Sequence, residues 1–231
     1  MRLHTREWGN GDRTALLVHG IMSDSRTWRR VGPALAERGY RVIAVDLRGH
    51  GLSPRGEYSP RFFADDLVDT LPTGADLAVG HSLGGLSLSL AVERLRPLRA
   101  VYSDPAWSTR DPEQPLDPEA FASAKNLTRE HIARFNPHWA AEDIDVEAAT
   151  LADWDADTSY FLDGRPLTGF VPDRPAVPSL VQLADPSHLV GADDVVRLRA
   201  SGFEVRTVTG AGHTIHRDDF DGFMKSLDGW I

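Results

Sequence analysis

The sequence predicts an α/β protein with a mostly parallel sheet covered on both faces, on three observations. Short apolar runs alternate with longer segments, the runs are continuously apolar, and each intervening segment is long enough for a crossover helix. In chain order the strand candidates are Ala15-Leu16-Leu17-Val18, Val42-Ile43-Ala44-Val45, Leu77-Ala78-Val79, Ala100-Val101-Tyr102, Leu180-Val181-Gln182-Leu183 and Val205-Arg206-Thr207-Val208. The helix candidates between them cover 28–38, 61–71, 83–95 and 192–200.

One stretch interrupts this order. Residues 105–172 contain no strand-like run, and Pro115, Pro118, Pro137 and Pro166 divide them into short pieces with helices over 118–125 and 140–152. The expected organisation is therefore a sheet domain, 1–104 plus 173–231, with a helical cap inserted at 105–172. The cap holds 13 acidic and five basic side chains, so it carries nearly all of the chain's net charge of −9, and it holds eight of the 19 aromatic residues. Such an acidic surface is expected to repel acyl-CoA, phosphates and other polyanions and to favour an uncharged, largely apolar substrate.

Composition excludes several classes. With 34 acidic against 25 basic residues there is no basic footprint for nucleic acid. The absence of cysteine removes disulfides, thiolate metal sites and cysteine nucleophiles. No signal-peptide core or membrane-length apolar run is present, so the expectation is a cytoplasmic protein without membrane partners, a monomer or homodimer. Asp153-Trp154-Asp155-Ala156-Asp157 begins like a calcium loop but has Thr158 where glycine is needed and Gly164 where glutamate is needed. Gly49-His50-Gly51 lacks the third glycine of a dinucleotide loop, and there is no phosphate-loop lysine. Neither a metal nor an organic cofactor is expected.

The chemistry points to acyl transfer. Gly80-His81-Ser82-Leu83-Gly84 joins a strand to an apolar helix, and a serine at such a sharp turn projects its hydroxyl while small neighbours let the chain pack around it. The helix start leaves the Leu83 N–H free to face an oxyanion. Val18-His19-Gly20-Ile21 offers a second donor, the N–H of Ile21. A serine hydroxyl needs a base. Gly210-Ala211-Gly212-His213 follows the last strand and supplies it, with His216 as local rival; His50 and His81 flank turns.

The order of Val18-His19-Gly20, Asp46-Leu47-Arg48-Gly49-His50-Gly51-Leu52-Ser53, Gly80-His81-Ser82-Leu83-Gly84-Gly85 and Gly210-Ala211-Gly212-His213 resembles the α/β-hydrolase fold superfamily over essentially the whole chain. The resemblance implies an eight-stranded sheet, an inserted cap and a Ser-His-acid triad acting on an acyl group. It also implies an acid a few residues past the strand at 180–183, where this chain has Ser187 instead. Two carboxylates remain open as the partner of His213: Asp185, two residues earlier, and Asp104, at the end of the strand at 100–102, an alternative position in the superfamily.

The expected activity is a metal-free serine hydrolase acting on a small-molecule carboxylic ester or lactone. Ser82 is the nucleophile, His213 the base, and Ile21 and Leu83 the oxyanion donors. The candidate substrate contacts are Gly20, Trp107, Phe135, Trp139 and Trp154. A serine at the elbow disfavours the superfamily's carboxylate-nucleophile chemistries, epoxide opening and dehalogenation. Two readings compete: a cofactor-free oxygenase using a His-Asp base, and a ligand-binding receptor without turnover.

Overall fold

The structure, a computed structural model, describes residues 1–108, 117–162 and 165–231. The first half runs β1 (Thr5–Trp8), β2 (Arg13–Val18), a 3-10 turn (Ser25–Trp28), α1 (Val31–Ala36), β3 (Tyr40–Val45), α2 (Pro60–Thr70), β4 (Leu77–His81), α3 (Leu83–Leu95) and β5 (Ala100–Ser103). Between β5 and β6 (Ser179–Leu183) lie α4 (Pro118–Ser123), α5 (Arg129–Phe135), α6 (Ala141–Asp153) and short 3-10 turns. The chain finishes with α7 (Ala192–Ala200), β7 (Glu204–Thr207), α8 (Ile215–Asp218) and α9 (Phe220–Lys225).

The described strands form one seven-stranded sheet, in the order β1-β3-β2-β4-β5-β6-β7, in which β1 runs antiparallel to β3 and every other pair is parallel. Among the described residues the expected count of eight is corrected to seven. β1 escaped the sequence reading because its central residues, Arg6 and Glu7, are polar and exposed; backbone pairing to the free edge of β3 holds it, not burial. The expected helix over 28–38 is divided into the 3-10 turn and α1. There the chain passes so close to Trp8 that a Cβ at Gly32 would overlap the indole at 2.5 Å.

Adjacent apolar residues of β2 to β6 enter opposite cores. Leu16 and Val18 pack with α2 and α3, while Ala15 and Leu17 pack with Trp28, α1 and α9. The continuous apolarity of the runs is the sequence trace of this two-sided burial. A third, smaller cluster of Ile132, Ile144, Leu151 and Trp154 lies within the helices between β5 and β6.

Acidic side chains of this insertion meet basic or hydroxyl side chains of the sheet domain. Asp153 pairs with Arg26 at 2.6 Å, Asp143 with Arg29 at 2.6 Å, Glu147 with Arg217 at 2.5 Å, and Tyr58 donates to Asp155 at 2.6 Å. Three of the 13 acidic side chains in residues 105–172 thus form close ion pairs with arginines elsewhere in the fold.

Where β4 turns into α3, the chain approaches β2 closely enough that a Cβ on Gly84 would overlap the carbonyls of Val18 and His19. Gly84→Ala is expected to cost about 1–3 kcal/mol through overpacking against backbone that has no room to move. The check is a lower urea midpoint with an unchanged slope.

Candidate active site

Ser82 sits between β4 and α3 with φ 52° and ψ −119°, a left-handed conformation that a residue with a side chain adopts only under constraint. The constraint is backbone pairing on both sides: Ser82 N–H donates to Ser103 O at 3.1 Å, and its carbonyl accepts from Leu86 and Ala106 at 3.1 and 3.0 Å. Gly80 and Gly84 make the turn possible, since a Cβ on Gly80 would meet the Gly84 carbonyl at 2.5 Å. The serine is only 5% exposed and lines a cavity of about 290 Å³.

His213, in the loop between β7 and α8, lines the same cavity. Its Nδ1 lies 2.7 Å from Oδ2 of Asp104, which is 1% exposed and receives the Ala184 N–H on Oδ1 at 3.2 Å. A carboxylate fixed at Nδ1 holds the proton there and leaves the Nε2 lone pair available. No hydrogen bond joins the Ser82 and His213 side chains, and catalytic hydrogen bonds commonly tighten only in the complex with substrate. The His213 carbonyl accepts from His81 Nε2 at 2.9 Å, which ties the histidine loop to the serine turn.

The other acid, Asp185, is not part of this arrangement. It is exposed on the loop after β6, and its carboxylate accepts the Gly210 N–H at 3.4 Å. Asp185 lies two residues past the end of β6 and faces solvent, and the carboxylate bonded to His213 is that of Asp104. His216, the rival base, is buried against Trp28 at 4.4 Å between ring centroids, with Nε2 3.0 Å from the Thr27 hydroxyl.

Ile21 and Leu83 both line the cavity, and neither backbone N–H donates to a protein acceptor among the described residues. Beside them, Met22 has φ 67°, so the loop after β2 is held in a left-handed turn. Two unpaired N–H groups near a serine hydroxyl are the donors a developing oxyanion needs.

The expected substrate contacts divide. Trp139 lines the cavity, its indole N–H donating to Asp218 at 3.1 Å and its ring lying over Arg217 at 4.5 Å. Trp107 and Trp154 do not line it: each is fully buried, with the indole N–H on Ser89 at 3.2 Å and on Thr158 at 2.5 Å respectively. Phe135 is 62% exposed at the end of α5 and reaches no part of the cavity. Gly20 stands behind the serine turn, where a Cβ would lie 3.0 Å from both the His81 ring and Ser82 Cβ. Its requirement is close approach, not substrate contact. The walls that sequence reasoning missed include Phe121, Phe161, Leu167, His188, Glu147 and Arg217.

Burial keeps the surrounding imidazoles neutral. His81 is held well below the usual histidine range first by desolvation and then by His213, and His216 first by desolvation and then by His81 and Arg217; His50 is pushed down to about 3 by desolvation and by neighbouring His19. Asp218 moves the other way, its carboxyl raised by burial. Among the described residues no group of side chains has the make-up of a metal site, and no helix is long and apolar enough to cross a membrane.

Residues 15–225 match the family model described as the alpha/beta hydrolase family. The chain belongs to the alpha/beta hydrolase family. It is 40% identical to ABHD14B of Rattus norvegicus over 90 residues, which cover 34% of this chain and 43% of that protein. This alpha/beta hydrolase spans less than half the length of the curated relatives it matches. The N-formylmaleamic acid deformylase of Pseudomonas putida superposes on it with a TM-score of 0.80 at 24% identity, over 97% of this chain and 95% of that one. The enol-lactonase of Burkholderia xenovorans superposes with a TM-score of 0.75 at 22% identity, over 99% and 95%. At these identities the solved structures share its fold.

Proposed function

We propose that this chain is a serine hydrolase that cleaves a carboxylic ester or lactone of an uncharged, largely apolar small molecule. The observation that carries the reading is one cavity lined by a serine on a strained turn and by a histidine whose Nδ1 is 2.7 Å from a buried aspartate. Family membership supports it, as do relatives whose names describe deformylase, lactonase and other hydrolase activities.

In the proposed reaction Ser82 Oγ attacks the substrate carbonyl while His213 Nε2 takes the hydroxyl proton. The N–H groups of Ile21 and Leu83 hold the oxyanion. His213 returns the proton to the departing alkoxide oxygen, leaving an acyl group on Ser82. A water molecule, deprotonated by the same Nε2, then releases the acid and restores the serine. The Asp104 carboxylate, at Nδ1, orients the ring and stabilises the imidazolium formed in each half. A lactone gives the same sequence with acid and alcohol in one product.

The test is covalent labelling with a fluorophosphonate, followed by peptide mapping, together with a panel of p-nitrophenyl esters and aromatic and macrocyclic lactones. Stoichiometric label on Ser82 and turnover of neutral esters are expected, because only an activated serine reacts. An unlabelled Ser82 with oxygen consumption would favour the oxygenase reading, and an unlabelled Ser82 with ligand binding alone would favour a receptor.

A further inference from the structure

We propose that Glu147 is a specificity-determining residue: by neutralising Arg217 in the cavity wall, it restricts this site to substrates whose acyl group carries no carboxylate. The inference rests on the serine-hydrolase reading and adds a substrate rule to it.

Glu147, on α6 of the insertion, and Arg217, on α8 just after His213, are the Glu and Arg side chains that line the catalytic cavity among the described residues. The Arg217 side chain is 2% exposed. Its Nε donates to the Thr27 hydroxyl at 2.8 Å, its Nη2 to Ser23 at 3.1 Å and Thr27 at 2.5 Å, and its Nη1 to Glu147 Oε2 at 2.5 Å. The hydroxyls satisfy donors but carry no charge. Glu147 is therefore the only carboxylate within ion-pair distance of this cation among the described residues. The Trp139 ring lies over the guanidinium at 4.5 Å and removes water from that side.

A buried cation with one anion is electrically complete, and a second anion brought beside it meets the repulsion of Glu147 without an unpaired partner. The discrimination is a built-in repulsive element, not a better fit for the neutral acyl chain. Glutamine at position 147 keeps the size and one acceptor but removes the charge, so Arg217 becomes a vacant counter-charge for a substrate carboxylate.

The experiment compares kcat/KM for the mono-p-nitrophenyl esters of succinate and glutarate with that for p-nitrophenyl pentanoate in each variant. Their ratio within one preparation cancels any difference in active fraction. In Glu147→Gln the anionic-to-neutral ratio is expected to rise at least about tenfold, because removing a like charge from a desolvated site is worth that or more. In Glu147→Asp it should stay within about twofold of the parent. Arg217→Met, which leaves Glu147 unpaired, should move the ratio in the opposite direction. A ratio unmoved by both Glu147→Gln and Arg217→Met, with neutral ester still hydrolysed, overturns the inference and leaves the serine-hydrolase reading standing. A parent enzyme that neither labels at Ser82 nor hydrolyses any ester overturns both.

Discussion

Asp104→Asn is expected to lower kcat for a neutral p-nitrophenyl ester by about four orders of magnitude, whereas Asp185→Asn changes it by less than about threefold. The two carboxylates look alike in sequence, each at the end of a strand and each followed by proline, but they meet different partners. Asp104 is buried, fixed on Oδ1 by Ala184 N–H, with Oδ2 against His213 Nδ1. An asparagine there can present its NH2 to Nδ1, which favours the tautomer with the proton on Nε2. That tautomer has no lone pair for the Ser82 proton, so acylation loses its base although every heavy atom stays in place. Asp185 accepts one long bond from Gly210 N–H, and an asparagine oxygen accepts it equally well. Steady-state rates and the rate of fluorophosphonate labelling should fall together in Asp104→Asn. A variant that retains a tenth of the parent rate would remove Asp104 from the mechanism.

The same comparison explains what the sequence made legible. The serine turn, the histidine loop and the two oxyanion candidates are short local patterns, and each lies at the rim of the sheet around one cavity. The choice between Asp104 and Asp185 depends on which loop faces the histidine, a long-range property with no local trace. The aromatic residues misled for a related reason. Trp107 and Trp154 satisfy the same preference for burial whether the neighbour is protein or ligand, and their indole N–H groups are bonded within the fold. Two wall residues did leave a signal. Glu147 falls on the same helical face as Ile144 and Leu151, so a charge interrupts an otherwise apolar stripe. Arg217 follows Ile215 and His216 in α8, and all three are buried, so here too a charge falls among inward-facing residues. A charge on an inward stripe predicts a partner; only the fold names it.

Stability is expected to fall steeply between pH 6.5 and 5, before most carboxylates titrate. His19, His50, His81 and His216 are all buried, and desolvation is the main cause of the lowered pKa of each. A lowered folded-state pKa means that the unfolded chain, with histidines near 6.5, binds protons the folded chain refuses. The stabilisation is therefore complete above about pH 6.5 and is lost as the pH falls from there through the folded-state value, about 3 for His50. Each ring that remains neutral in the fold costs about 2 kcal/mol by pH 5 relative to neutral pH, so even two or three such rings remove much of the roughly 5–15 kcal/mol typical of a domain. Asp218 opposes this: its raised pKa makes the folded state bind a proton more readily than the unfolded one, a contribution present in acid and lost as pH rises through its folded-state value. One carboxyl cannot balance several imidazoles. Urea titrations at pH 7, 6 and 5 should show the unfolding free energy dropping with a slope steeper than a single proton allows, and unfolding at pH 5.5 should take up more than one proton. His50→Gln should reduce that uptake by about one proton, since a glutamine has nothing to titrate. A flat profile between pH 7 and 5 would mean that these rings gain protons in place, which their burial among His19, Trp28, His81 and Phe223 forbids without local opening.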